Sequence, residues 1–423
     1  MVAASAAALV DSAMLGRHAT ASLAAFAVTI AVYSPAAATV AGVLRGVMPF
    51  VAEYEDDPKR MVPLVRNSMW LGLVTGGLGA LAVGGVSVIG SATGVPASTL
   101  NHLGLFPLLL AISVLSLSVG TSATSVLVAL DRSRLVLRAG LVGTALAVVL
   151  SVTLIGGIGP VPSLGLNGAG IAMLTSSLVT TVRMQVALRR VPALAGAPLT
   201  PGRPDFEAML RLARVGIPLA GTVLIKFAVL GVLTFAAARL GTQQAAVHGV
   251  CETLVNLIYT LAVAIGQATV PQVAGAVRDG DIPRTRRNVV AGAGVTVCGI
   301  GTLAVVLLVF GHSLIPFLSD DASLRQSLQH QLPLVCAVVM TDGLQAIAGF
   351  GMVGLKRTLP SLISTAVLFG ALCLSAVPAA DAGGLSALWT ALICANLLQA
   401  GTKAVLFHRI SGRIAPARPS PAV

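Results

Sequence analysis

Val10-Asp11-Ser12-Ala13-Met14-Leu15-Gly16-Arg17 places one carboxylate in an apolar run that holds no other charge before Arg17. An acid at the centre of a bilayer costs roughly 2.5–3.5 kcal/mol on insertion scales. A chain keeps such a group where a helix end reaches water or where the charge has a use, and the residues that follow favour a use. Working outward from this stretch, apolar runs recur along the whole chain.

The 423 residues are 56% hydrophobic and 10% charged, with mean hydropathy +0.93. A soluble chain carries about 25% charged residues, so this one has too little polar surface to face water. Runs of this length span a bilayer, and without strict alternation they span it as helices. The fold class read from the sequence is therefore an all-α membrane protein. Five cysteines lie in apolar runs without a C-x-x-C pair and read as small buried hydrophobes rather than a metal or disulfide framework. The N-terminus has no basic segment of the signal-peptide kind.

Twelve apolar segments fall near 1–15, 23–51, 66–90, 100–130, 135–157, 163–188, 209–239, 245–274, 289–318, 332–355, 359–378 and 383–408. They make two six-helix lobes, 1–195 and 209–423, joined by a Pro/Gly-rich linker at 196–208. Of the 27 Lys and Arg, 22 fall in alternate loops, the C-terminal tail and flanking helix ends, and three (Arg17, Arg239, Arg325) on the opposite side. Arg45 and Lys226 fall inside segments. This asymmetry places the linker and both termini in the cytoplasm, with the protein in the cell membrane. It also accounts for the net charge of +12 without nucleic acid.

The lobes read as copies. Pro49-Phe50-Val51-Ala52 matches Pro271-Gln272-Val273-Ala274, Leu130-Asp131-Arg132 matches Leu355-Lys356-Arg357, and Gly165-Leu166 matches Gly384-Leu385. Six helices per copy gives both the same orientation, a pseudo-two-fold about the membrane normal. The first copy has only 15 residues before Gly16 where the second has about 32 before Gly241, so helix 1 reads as truncated or its start as late.

The arrangement resembles the multidrug and toxic compound extrusion family over essentially the whole chain. The resemblance rests on Val10 to Arg17 with Leu23-Ala24-Ala25, Arg239-Leu240-Gly241-Thr242 with Ala246-Val247-His248, Asp342-Gly343-Leu344-Gln345 with Gly354-Leu355-Lys356-Arg357, and Leu164-Gly165-Leu166-Asn167-Gly168-Ala169-Gly170. It implies an antiporter exporting small organic molecules by rocking two lobes, with Asp11 at the helix 1 coupling-cation position and Asp342 at the acidic position of the other lobe. Ala147 and Ser151 stand where the family often has Asn and Asp on helix 5. Lys226 replaces a Glu of some relatives, as in the branch named for a DNA-damage-inducible member. Those departures favour protons over sodium as the coupling ion.

The candidate site is thus Asp11 and Asp342 for coupling, with Lys226, His248, Glu252 and Asn256 lining a substrate cavity. Lys226 is too deep to snorkel and calls for an acid or a polar substrate group as partner; Arg45, near a cytoplasmic end, can snorkel. His248 and Glu252 lie one turn apart on one helix face. No Walker loop, Ser/His/Asp spacing or H-E-x-x-H is present, so the reading is a transporter and not an enzyme, run by an H+ or Na+ gradient without a cofactor. Expected partners are a small organic substrate and membrane lipid, and the expected functional unit is a monomer. A lipid-linked precursor flippase of the same superfamily and a truncated, non-transporting relative are the alternatives.

Overall fold

The computed structural model describes residues 10–11, 14–15, 20–55, 57–157, 162–194, 202–314 and 322–413. Among them the secondary structure is helical, without strands. Helices α1 (Thr20–Arg45) and α2 (Met48–Glu53) follow one another across Gly46 and Val47, with Pro49 in the first turn of α2. Helix α3 (Pro58–Gly84) leads into α4 (Val86–Ala92), and α5 (Ala97–Asn101) precedes α6 (Phe106–Ala129), α7 (Ser133–Gly156) and α8 (Gly165–Arg189). Then come α9 (Phe206–Arg239), α10 (Thr242–Arg278), α11 (Ile282–Leu314), α12 (Ala322–Gly354) and α13 (Leu359–Ser411).

Nine described helices are long and apolar enough to cross a membrane, or ten when α3 and α4, bent by 52°, count as one span. Helix α13 is 53 residues long, twice what a bilayer needs, and breaks at Gly383 and Gly384. Gly384 has φ 64° and ψ −154°, a region open essentially to glycine alone. Thr365 donates to Gln399 Oε1 at 3.1 Å, so arms 359–382 and 385–411 lie side by side as separate spans. Every segment read from the sequence beyond the first thus has its helix. Segment 1 falls mostly outside the described residues, as do most of the linker and residues 315–321 after α11.

The chain divides into two compact units, Met1–Ala220 and Gly221–Val423, the division lying inside α9. In the first, α6 packs on α1, α3 and α8, and α8 on α7. Lipid offers apolar side chains as much as a protein core does, so close backbone approach and hydrogen bonds hold such helices together. Ser68 and Ser122 hydroxyls meet at 2.8 Å, Thr181 donates to Ser116 O at 2.9 Å and Ser176 to Gly143 O at 2.7 Å. In the second unit α12 is central, packed on α10, α11 and α13 around a core that includes Leu233, Val255, Val339, Phe369, Leu388 and Trp389. Large apolar side chains such as Leu81, Phe235, Val305 and Leu374 stand outward, as lipid-facing helices require.

The internal copy is visible in the backbone. Asp131 and Lys356 both adopt φ 56°, and no other described non-glycine residue has positive φ. Each is followed by an arginine whose N–H returns to the carbonyl five residues back: Arg132 to Leu127 O at 2.8 Å, Arg357 to Met352 O at 3.0 Å. Gly165 (φ 49°) and Gly384 (φ 64°) are likewise paired by the repeat.

One minor expectation is corrected. Cys298 and Cys394 are exposed on helix surfaces, where a thiol serves as well against lipid as in a core. Trp389 is buried and packed edge-on against His248, its helix facing into the second unit.

Candidate substrate and coupling site

Lys226, two-thirds of the way along α9, reaches across to α12 and donates from Nζ to Asp342 Oδ2 at 2.5 Å. Gln345, three residues on from Asp342 on the same helix face, donates from Nε2 to the other carboxylate oxygen at 2.9 Å. The Gln345 Oε1 in turn accepts from Lys403 Nζ, on the second arm of α13, at 2.5 Å. One buried carboxylate is therefore held between an ammonium and an amide, with a second ammonium behind the amide. Taking such charges out of water costs several kcal/mol per ion, and only close pairing with satisfied lone pairs recovers it.

The members differ in access. Asp342 is 2% and Lys403 3% exposed, whereas the Lys226 side chain keeps 20%. On its free side, Lys226 Nζ lies 3.3 Å from the centroid of the Tyr259 ring of α10, a cation–π contact. Lys226 is thus the open end of the cluster and Lys403 the closed end.

A second group lies along α10. His248 Nε2 stands 3.8 Å from Glu252 Oε2 one turn on, and the Thr234 hydroxyl of α9 is within 3.4 Å of both. Glu252 is a quarter exposed and within Coulombic reach of Lys226. Asn256, one further turn along, is exposed and makes none of these contacts. In the first unit Asp11 is 2% exposed, with Ser151 of α7 in electrostatic reach and its Oδ1 without a hydrogen-bond partner. Gly156 of the same helix lies against Met14.

The structure therefore brings Lys226 and Asp342 together, sets His248 and Glu252 beside them, and keeps Asp11 in the other unit. Sequence reasoning missed Gln345, Tyr259 and Lys403. Lys403 was counted with the basic flank of the last helix; its placement eight residues before Ser411, in step with Asn396 and Gln399 at helical spacing, is the signal that marks an inward face.

The MatE family profile matches residues 218–376, which carry Lys226, His248, Glu252, Tyr259 and Asp342. Over that stretch the chain is similar to the MatE family. A probable multidrug resistance protein NorM from Aromatoleum aromaticum is 26% identical over 379 residues, covering 87% of this chain and 80% of the relative. Its namesake from Deinococcus radiodurans is 26% identical over 435 residues, covering 98% and 93%. Among solved structures, a MOP superfamily transporter from Pyrococcus furiosus, described as having a binding pocket of reverse polarity, aligns with TM-score 0.86 at 17% identity over 97% of this chain and 92% of that one. A multidrug resistance MATE family transporter in an outward-facing conformation aligns with TM-score 0.86 at 16% identity over the same shares. The twelve-helix MATE fold is shared with these structures, and likeness to transporters along almost the whole chain marks it as a transporter, not an enzyme.

Proposed function

We propose that this MatE chain is a secondary antiporter that exports small organic molecules, drugs among them, across the cytoplasmic membrane in exchange for protons. The observation that carries the reading is the Lys226–Asp342 pair. It is an ion pair at membrane depth whose acid is buried and whose base is partly open. Protonating Asp342 breaks the pair and leaves Lys226 seeking a new partner, so one proton alters what the site presents to a substrate. Such a difference in affinity between two states is what lets a proton gradient drive a conformational switch. Asp11 is the coupling acid of the first unit, and Lys226, Glu252, His248 and Asn256 form the substrate-facing wall. The names of the NorM relatives support drugs as cargo. With Ala147 and Ser151 at the two positions, α7 lacks the carboxylate and amide that a sodium ion would need beside Asp11, which supports protons as the coupling ion. The working unit is a monomer with both termini cytoplasmic, alternating by rocking of its lobes.

The test is dye or drug efflux from everted vesicles, with pH and sodium gradients imposed separately. Export driven by the pH gradient alone is the expected result; export that responds only to sodium overturns the proton assignment.

A further inference from the structure

Unit two holds more unpartnered buried polar atoms than its ion-pair cluster explains. Gln331 Oε1, Trp389 Nε1, His248 Nδ1, Asn396 Oδ1, Gln399 Nε2 and Ser364 Oγ are all buried without a hydrogen-bond partner. Each such group costs about 1–3 kcal/mol if left dry, a sum no bundle carries idly. These atoms are not scattered. Trp389, Asn396, Gln399 and Lys403 follow one another on the second arm of α13 at steps of seven, three and four residues, which is one helix face. His248 joins the stripe through its ring contact with Trp389 at 5.7 Å, and Ser364 lies beside Thr365, which donates to Gln399.

Both ends of the stripe lead somewhere. At one end, Gln331 of α12 donates to Ser386 Oγ at 3.0 Å. Both residues line an open cavity of about 830 Å³ at the Gly383–Gly384 break, with Gln244, Gln326, Gln329 and His330. At the other end, Lys403 connects through Gln345 to Asp342 and Lys226. From Ser386 to Lys403 the helix rises about 25 Å, most of a bilayer core. The longest step, Trp389 to Asn396, is about 10 Å, and the Trp389–His248–Glu252 group flanks it.

We propose that this stripe is a water-filled file inside unit two, carrying protons between the cavity at the Gly383–Gly384 break and Asp342. Buried waters sit where several unpartnered polar groups converge, and a chain of them hands a proton on without moving any ion. A proton arriving along the file adds to Asp342 and frees Lys226 from its pair; its release to the opposite face of the membrane restores the pair. The ionisable groups around Asp342 are Lys226 of α9 and Lys403 of α13, with Tyr259 and Glu252 of α10 beside Lys226 and His248 beside Glu252. Lys403 closes the inner end, its Nζ donating to Gln345 Oε1. The direction of flow rests on the antiport reading above, whereas the hydration of the file does not.

Two measurements separate the possibilities. Radiolytic hydroxyl-radical labelling of the wild-type protein in detergent generates radicals from bound water in place. Trp389 is then expected to be oxidised roughly tenfold faster than the equally buried Phe369, because water stands beside it. Equal, slow labelling of the two overturns the file. In proteoliposomes, Asn396→Leu and Gln399→Leu are expected to slow pH-driven export roughly tenfold, while equilibrium binding of the exported dye is kept. Wild-type export by both variants also overturns the file as a proton route. Fast labelling of Trp389 in a protein that ignores an imposed pH gradient leaves the hydration in place, and overturns both the file's proton-carrying role and the antiport reading.

Discussion

Lys226 and Asp342, 116 residues apart in the chain, meet at 2.5 Å with the acid buried and the base one-fifth open. A pair held this way is costly to break from one side. Removing the base leaves a carboxylate stripped of water with only Gln345 to answer it. Lys226→Met is therefore expected to lower stability by about 3 kcal/mol or more. The double variant Lys226→Met with Asp342→Asn regains most of that loss, because both charges go together. Thermal unfolding in detergent, followed by size-exclusion, reads the cycle. Additive losses in the double variant would show that the two side chains do not interact.

The coupling acids make a separate prediction. Asp11→Asn and Asp342→Asn are isosteric and keep a hydrogen-bonding group, so both variants insert and fold. Each nonetheless abolishes gradient-driven export, since a neutral amide gives the proton nothing to bind. Dye binding survives in at least one of them, because that step does not require the proton. Wild-type export by both variants across a range of external pH would make the two acids structural.

Much of this was legible in the sequence, for identifiable reasons. Lys226 lies too far from either end of its segment to reach water, which demanded an acid or a ligand; Asp342 sits at matching depth, and the two do pair. The copy relation Leu130-Asp131-Arg132 to Leu355-Lys356-Arg357 was read from spacing, and the backbone repeats it down to φ. Neutral polar residues escaped notice because composition weights charge. Gln345, Asn396 and Gln399 look unremarkable one at a time, and their meaning lies in the helical step that aligns them with Lys403. Tyr259 was hidden for another reason: an aromatic in an apolar run reads as core until a cation is found over its face.

Topology follows from the asymmetry of basic residues and can be read directly. A reporter fused after Arg190 is expected to behave as cytoplasmic, and one inserted between α11 and α12 as external. Lys403 does not disturb the count, since its ammonium is buried against Gln345 rather than anchored at an interface. A reversed signal at either site would overturn the assignment of both termini to the cytoplasm.

The last prediction concerns how the first unit is held together. Gly46 follows α1 and lies against Gly216 of α9, backbone to backbone: a Cβ on Gly46 would stand 2.6 Å from the Gly216 Cα and N. Nothing there can rotate away, because both neighbours are main chain. Gly46→Ala must push α1 and α9 apart, and is expected to cost about 1–3 kcal/mol in stability. Gly77, inside α3, makes the contrast, with nothing within 4 Å of its added Cβ. Gly77→Ala removes a flexible residue from a helix interior and gains up to about 1 kcal/mol. The two methyl groups are chemically identical, so helix propensity alone would make Gly77→Ala the stabilising change and leave Gly46→Ala close to neutral. A loss at Gly46 beside a gain at Gly77, in thermal melts of detergent-solubilised protein, is the signature of the close backbone crossing. Melting temperatures that shift alike in both variants would mean that α1 and α9 do not pack at Gly46.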